Sequence, residues 1–308
     1  MEVSIKAKER FCKDCNVPLR LFQEPYFTDR LKLYDKFYGT LEKWALFVKE
    51  LENYNCEQDY FEEYNHVKDK AINSIKESDA YQRFNNEDMN RFGIINKGLP
   101  SKDIFKPSND NKMFISIDMK KANFSALRKY DKTIFGSAES WEDFISKFTQ
   151  NKHIIGSKYI RQVILGNCNP KRHITYEKYL MDKVLSNVKD GQLNNIVFFS
   201  NDEIVFDVTD LSDDEQIFTH LHVDYVLKQI APFCRCELFR LQKINGTEGY
   251  LKSVYEGLIN SVEFKCLDNY MLPFVIRKFL GEEINEYDKV FYHEGLLSKF
   301  IEVPNIEI

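Results

Sequence analysis

The sequence predicts an α+β fold: an antiparallel sheet with packed helices, preceded by a mostly helical N-terminal region. Three features of the 308 residues lead there. Apolar residues between 30 and 92 recur at helical spacing, with few Gly or Pro to interrupt them. From 112 onward, short apolar runs of strand character alternate with helical stretches. The resulting order is strand, helix, helix, strand, helix, strand, strand, an α+β layout rather than a regular βαβα alternation.

In LYDKFYGTLEKWALFVKELENY, the residues Leu33, Phe37, Leu41, Trp44, Val48 and Leu51 fall on one helical face. YFEEYNHVKDKAINSIKESDAYQRF continues in the same style. Residues 93–112, GIINKGLPSKDIFKPSNDNK, collect Gly, Pro and polar residues and predict a linker or extended arm. MFISIDMKKANFSALRKYD begins as a strand and passes into a helix. SWEDFISKFTQ is a short helix that Ser140 can cap, with Asp143 at its third position. SKYIRQVILGN fits helix or strand. TYEKYLMDKVLSNV is helical, KDGQLNN a turn, and VFFSNDEIVFDV (197–208) strand with a pair of acids at its centre. SDDEQIFTHLHVDYVLKQIAP predicts an amphipathic helix. CRCELFRLQKI, NGTEG and YLKSVYEG predict a hairpin. Residues 255–300 mix helix and short apolar runs. The chain divides into a helical region with its linker (1–111), a sheet-bearing domain (112–250) and a C-terminal α/β region (251–308).

No apolar run reaches the ~18 residues of a transmembrane helix, and MEVSIKAKERFCKDC lacks a signal-peptide core. The expectation is a protein that stays away from membranes, in the cytoplasm of a cell or of an infected host. CKDC (Cys12, Cys15) and CRC (Cys234, Cys236) lack the second pair that a structural zinc site requires, which leaves reduced thiols. His173, His220 and His222 form no ligand cluster and read as surface or interface residues.

A net charge of −5 argues against a generic nucleic-acid coat, but the charges are not evenly spread. Lys147, Lys152, Lys158, Arg161, Lys171, Arg172 and Lys178 form a basic block containing only Glu177 as an acid. An acidic block follows, from Asp202 to Asp224. Such a pairing suits a site that holds phosphates beside cations; two solvated faces of opposite sign are the alternative.

Asp118 ends an apolar strand, and Asp202 and Glu203 interrupt another. Carboxylates gathered at the ends of adjacent strands repel one another unless cations lie between them. Mg²⁺ suits such a set, because it takes one or two carboxylates together with substrate phosphates. Two such ions about 4 Å apart can stabilise both the attacking and leaving oxygens of phosphoryl transfer. Asp118, Asp202 and Glu203 are therefore the candidate catalytic and metal-binding residues. Asp207, at the far end of the run, reads as a solvated turn residue. Arg161, Lys171 and Arg172 are candidates for triphosphate or template contact.

NDEIVFDV resembles the HDELVFEV signature in the palm of A-family DNA polymerases, with Asn201 where that family has His. SIDMKKANFSALR resembles the first palm motif, and is similar to the DLKKAF motif of reverse transcriptases. The 84 positions between Asp118 and Asp202 are closer to reverse-transcriptase spacing. The resemblance covers roughly 112–245, and the fingers motif and a proofreading domain are missing. SNDEIVF also looks like the GGDEF motif of diguanylate cyclases, with Ser200 and Asn201 in place of its glycines.

The polymerase resemblance implies a palm-like sheet at 112–250 and a thumb-like region at 251–308. It also implies template-dependent nucleotidyl transfer with Mg²⁺ or Mn²⁺. Its partners are a nucleic-acid template and primer, nucleoside triphosphates and a protein of a replication or transcription complex, viral in style. Lys243 would approach the leaving pyrophosphate, and Asn123, five places after Asp118, would lie beneath the incoming sugar and admit ribonucleotides. If the helix is rotated by one residue, Phe124 is the sugar gate instead. The alternative to an enzyme is a palm-derived subunit that binds nucleic acid or protein without catalysis.

Overall fold

Residues 3–188, 193–256 and 259–308 are described by a computed structural model of the chain. The turn expected over 189–195 lies partly outside them. The helical N-terminal stretch breaks into α1 (Ile5–Asp14), α2 (Tyr26–Tyr38), α3 (Thr40–Leu51), α4 (Glu57–Glu77) and α5 (Asp79–Asn86). The predicted face from Leu33 to Leu51 is not one helix. Gly39 takes φ +56°, and its N–H closes α2 on the Asp35 carbonyl at 2.7 Å. The chain turns there, so Leu41 is left 43% exposed while Trp44 packs edge-on against Phe11 and Phe27.

After β1 (Met113–Met119) come α6 (Ala122–Tyr130), α7 (Trp141–Ile145), α8 (Lys152–Gly156), α9 (Lys158–Gly166) and α10 (Pro170–Val188). The ambiguous segment 157–167 is thus helix, capped by Ser157, whose hydroxyl accepts from the Ile160 N–H. Ser140 and Asp143 form the expected capping box on α7. Then follow β2 (Ile196–Phe199), β3 (Glu203–Asp207), α11 (Asp213–Ile230) and β4 (Cys234–Lys243), and the predicted hairpin runs into β5 (Tyr250–Glu256). β6 (Ile259–Lys265), α12 (Leu272–Leu280) and the ribbon of β7 (Val290–His293) with β8 (Leu296–Lys299) complete the chain.

The main sheet is antiparallel throughout, in the order β2-β3-β1-β4-β5-β6. The α6–α10 and α11 crossovers interleave, with β3 between β1 and β2 and β1 between β3 and β4. This is a split βαβ arrangement. The α+β class is as predicted, and β5 and β6 extend the same sheet beyond residue 250. One sheet face, with Ile115, Ile117, Ile204, Phe206 and Leu238, packs into the helices. The N-terminal helices share that core.

Asp14, at the end of α1, is fully buried and accepts from Tyr64 (2.8 Å) and Ser157 (2.6 Å), with His153 at 3.1 Å. One carboxylate thereby joins α1 to α4, α8 and the cap of α9. The buried Arg30–Asp288 pair, at 2.7 Å, ties α2 to the C-terminal region in the same way.

The segment 93–112, predicted as a linker or extended arm, is an arm strapped to the rest of the chain by hydrogen bonds. The Ile95 and Asn96 N–H groups donate to the Asp182 carboxylate at 2.7 and 2.9 Å, and Phe199 N–H donates to the Pro100 carbonyl at 2.7 Å. Ile104 and Phe105 then cover Phe114, Phe239 and Tyr250 on the sheet face turned away from the helices. Composition predicted polarity there, but the backbone donors found partners and the few apolar residues found the sheet.

Three further expectations are corrected. Asp207 is not solvated, since its carboxylate pairs with Lys112 at 2.9 Å and accepts from Thr209. His173 is fully buried, with neither ring nitrogen hydrogen-bonded among the described residues; burial lowers its pKa to about 4. α11 buries Val223 and Leu227 but leaves Phe218, Leu221 and Tyr225 exposed, so it is apolar on both sides. Among the described residues, no helix is long and apolar enough to cross a membrane.

Candidate functional site

Strand register builds the site. Asp118 is paired with Glu203 on β3 and Arg235 on β4, so these three side chains share the sheet face away from the helices. One step along β4 on the same face, Glu237 accepts from Lys252 of β5 at 2.5 Å. Asp202 immediately precedes β3, and its carbonyl accepts from the Met119 N–H at 2.8 Å, which fixes it beside the end of β1.

The turn holding Asp202 is built from its neighbours. The Ser200 hydroxyl donates to Asp202 Oδ1 at 2.9 Å and accepts from the Glu203 N–H at 2.9 Å. Asn201 Nδ2 donates to Glu177 Oε2 at 2.6 Å and so anchors the turn to α10. Glu177 is buried, and its other oxygen has no partner among the described residues.

Burial is the main electrostatic influence on Asp118, Glu203 and Glu177. It raises the Asp118 pKa against the opposing pull of Arg235, whose Nε lies 2.9 Å from Oδ2, with Asp202 and Glu237 adding repulsion. Burial also pushes Glu203 up to about 7; Lys252 opposes this, while Asp118, Asp202 and Glu237 reinforce it. Glu177 likewise rises to about 7, through burial and then the Asp202 charge, against the hydrogen bond from Asn201.

A pocket of about 650 Å³ opens at this end of the sheet, lined by Asp118, Asp202, Asn123, Lys158, Arg161 and Arg235. Lys158 and Arg161 have no acidic partner within 4 Å among the described residues. The Lys158 pKa is lowered by burial and then by its neighbours Arg161, Lys265 and Arg235. Cations crowded together with so few anions between them favour an anionic ligand.

Of the predicted residues, Asp118, Asp202, Glu203, Asn123 and Arg161 therefore come together. Phe124, the alternative sugar gate, is buried against Phe135 and Trp141. Three others do not join them. Arg172 is used up at the end of α5, where its guanidinium donates to the Phe84 and Glu87 carbonyls. Lys171 is exposed on the first turn of α10, outside the pocket. Lys243 lies at the opposite end of β4 from Arg235, roughly 25 Å away at ~3.3 Å per residue. Its ammonium donates to the Thr247 carbonyl at 2.6 Å and sits over the Tyr250 ring. Sequence reasoning missed Glu177, Arg235, Glu237 and Lys252 as members of the site. Alternation along CRCELFR carried a signal for Arg235 and Glu237, but only once β4 is known to pair with β1.

Among the described residues, no three acidic, His or Cys side chains converge as a ready-made cation cage. The donors present are nonetheless oxygen ligands suited to a hard cation: Asp118 and Asp202 line one pocket, with Glu203 beside them on the same sheet face. Comparison with protein-family models, curated proteins and solved structures finds no match for this chain.

Proposed function

We propose that this chain is a template-dependent nucleotidyltransferase built on a polymerase-type palm, working with Mg²⁺ or Mn²⁺. The observation that carries the reading is one pocket in which Asp118 on β1 and Asp202 just before β3 face Lys158 and Arg161, cations without an acidic partner within 4 Å among the described residues. A phosphate-rich substrate needs both signs: carboxylates to hold its counter-cations, and basic groups for the phosphate oxygens left over. The split βαβ sheet and the first-motif and NDEIVFDV resemblances support the same reading.

Asp118 and Asp202 would hold divalent cations, which when bound stabilise the attacking and leaving oxygens of phosphoryl transfer. Lys158 and Arg161 bind the triphosphate and orient it along the pocket wall. Asn201 and Ser200 keep the Asp202 turn in place, with Glu177 as the anchor on α10. Arg235 holds Asp118 while the site is empty of substrate and moves to phosphate when it fills. Asn123 lies on the wall where a sugar hydroxyl can be hydrogen-bonded.

One observation favours a non-catalytic palm subunit: Arg235 already satisfies Asp118 without any cation. Extension of a labelled primer on RNA and DNA templates, with Mg²⁺ or Mn²⁺ and both sugar types of nucleotide, separates the two readings. Metal-dependent incorporation is expected. Nucleic-acid binding with no incorporation under any of these conditions would leave the scaffold reading standing.

A further inference from the structure

A second and larger cleft, of about 890 Å³, lies between the N-terminal helices and the β6 edge of the sheet. Lys13 and Arg20 line it from α1 and the loop beyond, Tyr38 and Lys43 from the α2–α3 corner, and Lys265 from β6. Gln162 on α9 lines both this cleft and the acid pocket, so the two are neighbours. We propose that this cleft is the track along which a single-stranded nucleic acid runs to the acid pocket, an assignment that rests on the nucleotidyltransferase reading.

The charge pattern is the first argument. The chain as a whole carries −5, yet the cleft is lined by four cations and the acid Glu263. Glu263 and Lys265 pair at 2.8 Å, and Lys13 pairs with Glu9 at 2.7 Å, which leaves Arg20 and Lys43 as the cations without an acid. Arg20 has no acidic partner within 4 Å among the described residues, and Lys43 spends its ammonium only on the Tyr38 carbonyl. Past Gln162 the basic lining continues through Lys158 and Arg161. A concave wall of one sign concentrates the opposite charge, and a strand's regularly spaced phosphates match a lining extended in one direction.

Shape and aromatic content choose the kind of nucleic acid. A volume of about 890 Å³ falls within the ~300–1,000 Å³ range of small-ligand sites, enough for a few nucleotides of one strand and far too little for a duplex. Tyr38, only partly buried on the wall, offers a ring on which an unpaired base can stack.

The test measures binding by the full chain in EDTA, so that turnover plays no part. Fluorescence anisotropy would follow labelled single-stranded DNA and RNA of about a dozen nucleotides, and a duplex of equal length, between about 50 and 200 mM salt. The combined Arg20→Ala, Lys43→Ala and Lys265→Ala variant is expected to bind single strands at least tenfold more weakly. Its salt slope should be shallower by about 2, at ~0.7 for each phosphate no longer neutralised. Tyr38→Ala should weaken binding about tenfold with the slope unchanged, as expected when stacking is removed. If the triple variant does not fold, Lys43→Gln and Lys265→Gln singly should each lower the slope by about 0.7. Folded variants with native affinity and slope overturn the cleft assignment and leave the nucleotidyltransferase reading intact. Duplex binding at least as tight as single-strand binding overturns the choice of ligand. A native protein that binds none of the oligonucleotides sinks the nucleic-acid reading itself.

Discussion

The open face of the sheet has two unlike ends. Phe114, Val205, Phe239, Leu241 and Tyr250 lie at one end under Ile104 and Phe105. Further along the same strands, Asp118, Glu203, Arg235 and Glu237 crowd together beside a pocket. Lys252 bridges the two, its ammonium over the Phe239 ring and its hydrogen bond on Glu237. The backbone ladder is the same at both ends, so the difference lies in the side chains. Burying apolar area stabilises the fold at ~25 cal/mol per Å², whereas gathering half-buried carboxylates costs free energy that Arg235 and Lys252 offset only in part. One end supplies stability and the other chemistry.

The widest separation between the ends should come from Asp118→Ala and Asp202→Ala. Each is expected to lower nucleotide incorporation by at least about a thousandfold, roughly 4 kcal/mol of transition-state stabilisation. Melting temperature in metal-free buffer should hold or rise, since each change relieves repulsion among the acids. Near-native incorporation by either variant in the primer assay would remove the catalytic role assigned to that end.

At the apolar end the outcome should invert. Phe114 is fully buried and stacks on Phe239 at 5.4 Å. Phe114→Ala should cost about 3–5 kcal/mol in urea unfolding, from the burial forfeited and the cavity left behind. The surviving folded fraction should keep native turnover per active molecule. A large fall in turnover with little loss of stability would mean that the two ends are not separate in function.

The pH dependence sharpens the contrast. Glu177 sits at about 7 in the folded chain and near 4.5 when unfolded. The native state therefore keeps a proton that the unfolded chain releases, so this residue's contribution lowers stability as pH rises from about 4.5 to 7 and is level above. Glu177→Gln should be about 2–3 kcal/mol more stable than the native chain at pH 8 and equal to it near pH 4. Buried His173, at about 4, tilts the other way, with stability lost as pH falls from about 6.5. The informative quantity is thus the variant-minus-native difference in urea midpoint at each pH. A difference that does not change with pH would show Glu177 to be ionised in the fold.

The two ends are also unequally legible in the sequence. Asp118, Asp202 and Glu203 stand out because each charge interrupts a local apolar run, a signal that needs no knowledge of pairing. Glu177, Arg235 and Lys252 reach the site through helix packing and strand register, and nothing in KRHITYEKY or YLKSVYE shows which strand lies opposite. Charge alone marks Lys171, Arg172 and Lys243 as phosphate ligands. It does not reveal that a guanidinium is consumed by helix-end carbonyls, or that a lysine sits at the wrong end of its strand. The strap at 93–112 escapes a reading by composition because its residues are mostly polar, while its contacts are made by backbone groups and two apolar side chains.

The smallest expected effect concerns which sugar the open end admits. Asn123 lines the pocket from the first turn of α6, while Phe124 is buried in the core, so the helix phase puts an amide rather than a ring at the substrate wall. An amide can donate to and accept from a 2′-hydroxyl, and a site built for that hydroxyl is left with an unpaired polar group when the hydroxyl is missing. Ribonucleotides should therefore be incorporated in preference to deoxynucleotides. Asn123→Ala should shrink the preference by up to about tenfold, the worth of one hydrogen bond of ~0.5–1.5 kcal/mol. Asn123→Phe should turn selection toward deoxynucleotides by placing a ring where the hydroxyl must go. Phe124→Ala should instead cost stability, about 3–5 kcal/mol, and leave the ratio of incorporated sugars unchanged. Competition between the two nucleotide types on one primer reads that ratio directly. If it moves with Phe124 and not with Asn123, the gate belongs to the buried ring, and the pocket wall defined by α6 is not where the sugar lies.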